Sequence, residues 1–76
     1  MPTKLTDVHV KDQSLFGWDI HGDLHHIGSF ENDKDAWQAV LEPTNYISSP
    51  YTYSIGCRLK AMSALAPFDL AELLLP

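Results

Sequence analysis

From Lys4 to Phe30 the chain passes through three short runs of alternating apolar and polar side chains, each closed by turn-forming residues, before any helical spacing occurs. A chain that opens this way is committed to a sheet, because alternation puts successive side chains on opposite faces of a pleated strand. "KLTDVHVK" sets Thr6, Val8 and Val10 against Leu5, Asp7 and His9, and "DQS" turns out of it. "SLFGWDIHG" places Phe16, Trp18 and Ile20 on one side and Leu15, Gly17, Asp19 and His21 on the other. "DLHHIGSF" follows a glycine turn, the short-range signature of a β-hairpin. Two registers are open. A two-residue turn at His21-Gly22 sets Trp18 against His25 and Phe16 against Ile27, whereas an odd-length loop ending in Gly22 sets Trp18 against Leu24 and Phe16 against His26. In both, His25 and His26 point to opposite faces.

"ENDKDAWQAVLEP" then changes period. Asn32 and Asp33 are cap candidates, Glu31, Asp33 and Asp35 sit at the positive end of a helix dipole, and Pro43 stops the run, so a helix is expected from about Asp33 to Leu41. Its apolar stripe is Ala36, Trp37, Val40 and Leu41. After the loop at 42–50, "YTYSIGCRL" alternates without a break, predicting a strand with Tyr51, Tyr53, Ile55, Cys57 and Leu59 inward. "LKAMSALA" suits a helix with Leu59, Met62 and Ala66 on one face, the strand becoming helix between Gly56 and Lys60. Pro67 is expected to break that helix, and "FDLAELLLP" to add a last apolar turn or two.

The order β, β, β, α, β, α predicts a single α+β domain over residues 1–76: a small antiparallel sheet of about four strands with two short helices packed on one face. The other face would collect polar positions and hairpin histidines. Seventy-six residues bury only about 60% of the surface their unfolded chain exposes, so the core is thin. Eight aromatics and a hydrophobic fraction of 45% nonetheless exceed what a disordered chain carries.

Cys57 has no cysteine to pair with, which favours a reducing compartment, and "MPTKLTDVHV" lacks the pattern of a signal peptide. A cytoplasmic location without membrane contact is the expectation. Ten acids against five basic residues give a net charge of −5, and residues 7–42 hold eight acids against Lys11 and Lys34, which leaves −6 in that half. Direct nucleic-acid binding is disfavoured by that field.

Chemical motifs are sparse. His21, Asp23 and His25 are spaced i, i+2, i+4, but Gly22 bends the chain between them, and only recruitment of His9 would bring ligands together. Solvated imidazoles are the simpler reading, and neither metal nor cofactor is expected. Cys57 and the serines lack a nucleophile-elbow pattern, and the predicted inward position of Cys57 makes it a packing residue. Asp23 is expected to bond turn backbone, and Asp33 and Asp35 to support the helix start. The four glycines form no phosphate loop. Phe16, Trp18, Trp37, Tyr51 and Tyr53 read as core.

Association remains. Tyr46, Ile47 and Tyr51 flank Pro50 in an otherwise polar loop, and Phe68, Leu70, Leu73 and Leu74 offer more apolar surface than one short helix can bury, so these seven are the expected contact residues. The expectation is a non-catalytic module that binds a protein or small ligand and forms a homodimer through its C-terminal segment. Two alternatives stand beside it: an acidic mimic of a nucleic-acid backbone that occupies a basic groove, and a metal-dependent hydrolase requiring His9, His21 and one of His25 or His26 to converge.

Overall fold

The computed structural model describes residues 2–42 and 50–74, with side chains through Phe68. Six elements follow one another: β1 (Thr3–Lys11), β2 (Ser14–Asp19), β3 (Leu24–Ser29), α1 (Asp33–Leu41), β4 (Tyr51–Tyr53) and α2 (Ile55–Leu74). The strands form one sheet in the order β3-β2-β1-β4. This is the expected α+β arrangement, with both helices contributing to a single core on one sheet face. The first three strands are antiparallel neighbours, whereas β4 lies parallel to β1. The reason is α1, which carries the chain back along the sheet before it re-enters on the far side of β1.

Both hairpins are specified locally. Between β1 and β2, Asp12 and Gln13 take φ of 52° and 65°, a two-residue turn with both central residues left-handed. Between β2 and β3 the loop is three residues long and ends in Gly22 at φ 83°, closed by the Asp19 N–H donating to Asp23 O at 3.0 Å and the Gly22 N–H to Asp19 O at 3.1 Å. The odd-length loop is therefore the one adopted. It sets Phe16 against His26 and Trp18 against Leu24.

Strict alternation fails at two bulges, and these decide which residues enter the core. The β1–β2 register shifts between Leu5 and Asp7, so Leu5 and Val8, three residues apart, are both fully buried. The Thr6 hydroxyl at the bulge donates to Trp18 O at 3.3 Å. A second shift leaves Ile27 as the extra residue between the pairs Phe16–His26 and Leu15–Gly28. Leu5, Val8, Leu15 and Ile27 then meet Ala36, Ala39, Val40, Cys57 and Ala61. Gly17 lies beneath this layer: a Cβ there would stand 2.7 Å from Leu5 Cδ1 and 3.2 Å from Ile27 Cδ1.

α1 begins as its sequence predicts, with Asn32 as N-cap accepting from the Asp35 N–H at 2.8 Å. Trp37 and Leu41 flank its buried Ala36, Ala39 and Val40. The segment after the loop departs from expectation. Ser54 caps a helix that starts at Ile55: its hydroxyl accepts from the Cys57 N–H at 3.2 Å and its carbonyl from the Arg58 N–H at 3.2 Å. The predicted strand therefore shrinks to Tyr51–Tyr53, and the transition falls before Gly56. Cys57, Ala61 and Leu65, spaced by four, are the buried face of α2, while Ile55, Leu59, Met62 and Ala66 are exposed. Pro67 does not end the helix. Ser63, whose carbonyl Pro67 cannot serve, is an exposed residue.

Candidate binding surfaces

Ile55, Leu59 and Met62 retain 77%, 59% and 55% of their exposure. Their spacings of four and three residues lay them in one stripe, which Ala66 extends, because 3.6 residues complete a turn. The stripe faces away from Cys57, Ala61 and Leu65, and its large side chains stay mostly exposed. Single exposed apolar residues are ordinary on small proteins. A stripe of four on one helix face is a candidate contact surface.

The expected contact residues are distributed differently. Tyr46 and Ile47 lie outside the described residues, and Leu70, Leu73 and Leu74 fall in the backbone of α2 with side chains outside them. Phe68 is 47% exposed, with the Lys34 ammonium 5.8 Å from its ring centroid beside a shallow depression shared with Asp12, Gln13 and Asn32. Tyr51 is half-buried against the core, its ring edge-on to His25 at 5.8 Å. Sequence spacing groups Leu59, Met62 and Ala66 on one face, as the helix has them, whereas Leu59, expected inward as part of the strand, is exposed. Ile55 was missed because "YTYSI" reads as continuous alternation.

The outer sheet face carries the second surface. Phe16 and Trp18, expected in the core, stand here with His9 between them: His9 is stacked on Phe16 at 5.1 Å and 13°, and tilted against Trp18 at 4.8 Å. Phe16 in turn meets His26 at 5.2 Å. The inner face is taken instead by Leu5, Val8, Leu15 and Ile27, which pack with Ala36, Ala39, Val40, Tyr53, Cys57 and Ala61. Leu24, 54% exposed, continues this face on β3.

The histidines are thereby separated. His9 and His26 belong to the outer face, His21 is exposed in the loop, and His25 points to the inner side, where its Nε2–H donates to Asp19 Oδ2 at 2.9 Å. No group of three or more metal-ligating side chains exists among the described residues. The convergence that a metal-dependent hydrolase requires is absent from this geometry. Nor do the imidazoles mostly meet solvent, since His9 and His25 are both packed.

Asp19, rather than Asp23, organises the hairpin loop. Its Oδ1 accepts from the His21 N–H at 2.8 Å and the Asp23 N–H at 3.0 Å. The hydrogen bond from His25 is the main reason its carboxyl is lowered to about 2; partial burial opposes the shift and the two backbone N–H groups add to it. Cys57 is buried, with its thiol 3.5 Å from Leu5 O and 3.3 Å from the Ser54 hydroxyl, a packed position as expected. Among the described residues no helix is long and apolar enough to cross a membrane. No protein-family model, curated protein or solved structure matches the chain.

Proposed function

We propose that this protein is a small cytoplasmic binding module that works by association rather than by chemistry, and that its first partner is a second copy of itself, joined through α2. The observation that carries this reading is the stripe of Ile55, Leu59, Met62 and Ala66, exposed along a helix of 20 residues whose opposite face holds the core. Two such stripes crossing about a two-fold axis are self-complementary. Covering the exposed part of each large side chain contributes roughly 1 kcal/mol or more. The proposed contact runs from Ile55 to Ala66 instead of lying on Phe68 and the leucines that follow.

Sedimentation velocity of the full chain at tens of micromolar tests the proposal. The expected result is a dimer that Leu59→Asp and Met62→Asp each convert to a monomer, with the circular dichroism spectrum unchanged because neither side chain is buried. A wild-type chain that sediments as a monomer across that range overturns it.

A further inference from the structure

The sheet has two lateral edges, and they are treated differently. On the β1 side, β4 covers only Thr3 to Leu5, and among the described residues no strand lies beyond it along the rest of that edge of β1. That stretch is blunted. The bulge sits at its start, the Asp7 carboxylate takes the Val8 N–H at 2.9 Å, and the Lys60 ammonium holds the same carboxylate at 3.0 Å. Bulges and charged side chains are how proteins keep sheet edges from pairing with other chains.

β3 forms the other edge, and "LHHIGS" contains no lysine, arginine, acid or proline. The Asp19 N–H donates to Asp23 O, so by alternation His25 turns its backbone toward β2 while Leu24 and His26 turn theirs to the open side. Exposed carboxylates stand at both ends, Asp23 just before the strand and Glu31 two residues after it. Seven residues lie between them, the six of β3 and Phe30, a span of at most roughly 26 Å when fully extended. The edge is thus free of fixed charge between two anionic ends.

We infer that the β3 edge accepts an extended segment of another polypeptide as a fifth strand, and that the segment is cationic at both ends with alternating side chains between. The strand supplies main-chain hydrogen bonds through Leu24 and His26, and Leu24 with the neighbouring Trp18 and Phe16 offers apolar cover to outward side chains of the guest. Charge chooses the guest. A second copy would bring its own Asp23 and Glu31 and the rest of a −5 charge to the same edge, whereas lysines at the ends of the guest pair with them. This surface is distinct from the α2 stripe and does not rest on it.

The probe is the blocked peptide Lys-Thr-Val-Thr-Val-Thr-Val-Thr-Lys, titrated into nitrogen-15-labelled full-length protein at low salt. Binding should shift the amide signals of Leu24 and His26 and slow their hydrogen exchange, with α2 signals unmoved. Methylating two alternate peptide nitrogens on the pairing side should weaken binding by about tenfold or more, since each removes one hydrogen bond. His26→Pro should abolish binding, and Asp23→Lys combined with Glu31→Lys, both at exposed positions outside the strand, should weaken it severely through repulsion of the guest's lysines. Glutamates in place of the peptide's lysines should do the same. Binding that survives methylation of the pairing-side nitrogens, or the charge reversal at Asp23 and Glu31, overturns the inference. So does protection of Leu24 and His26 that grows with protein concentration in the absence of peptide, because the edge would then pair with its own copy.

Discussion

At the scale of single residues, two positions hold the hairpin end of the sheet in place. Asp19 gathers the His25 imidazole and the His21 and Asp23 N–H groups onto one carboxylate, and all three contacts favour its ionised form. A carboxyl lowered from 3.8 to about 2 in the folded chain stabilises it fully above pH about 4, and that contribution drains away as the pH falls toward 2. Urea midpoints measured from pH 7 to pH 2 should therefore drop more steeply below pH 4 in the wild type than in Asp19→Asn. Parallel curves would show that the carboxylate does nothing for the fold. Gly17 acts by having no side chain: Gly17→Ala must push aside Leu5 and Ile27, both core residues, and should destabilise by about 1–3 kcal/mol in chemical denaturation.

Among the elements, the β1–β2 turn stands out. Asp12 and Gln13 both occupy the left-handed region that such a turn demands, and glutamine there is strained where glycine would not be. The surroundings hold it: the Gln13 N–H donates to Asp33 Oδ1 at 3.1 Å, and the Phe30 N–H to Gln13 O at 2.8 Å, so the turn is tied to the start of α1 and the end of β3. Both bonds use the backbone of Gln13, which glycine keeps. Gln13→Gly should raise stability by about 1 kcal/mol, read as a higher urea midpoint at unchanged slope. α2 illustrates the opposite case, in which a local signal misleads. "YTYSIGC" alternates like a strand, yet Ser54 supplies a cap three residues before Cys57 and the chain turns helical at once. The competing signal was legible as a serine followed by residues spaced by four, Cys57, Ala61 and Leu65, but alternation over five positions outweighed it.

For the molecule as a whole, charge and shape act together. A long axis of 44 Å against 23 and 21 Å leaves the chain elongated, with one helix of 20 residues exposing an apolar stripe. Two copies at −5 repel through water, and added salt screens that repulsion while strengthening apolar contact. The dimer proposed through α2 should therefore tighten between 20 and about 300 mM sodium chloride in sedimentation equilibrium. A dimer that loosens with salt would point to ion pairs, and so to a different surface. The lysine-ended peptide at β3 has the reverse dependence, which lets one titration separate the two surfaces.

The amino-acid sequence alone determined the three-stranded start, the limits of α1 from Asp33 to Leu41, the glycine-ended loop as one of two registers, and the opposite facing of His25 and His26. Each of these is set by neighbours within about four residues, through side-chain alternation, capping and turn geometry. Tertiary structure decided which side of each strand became the interior, because two bulges shift the alternation and only packing against α1 and α2 shows where they fall. It likewise decided that Phe16 and Trp18 stand outside with His9, that β4 runs parallel to β1, and that Ile55, Leu59 and Met62 are left uncovered. Those outcomes depend on packing between elements far apart in the sequence, which no local pattern encodes.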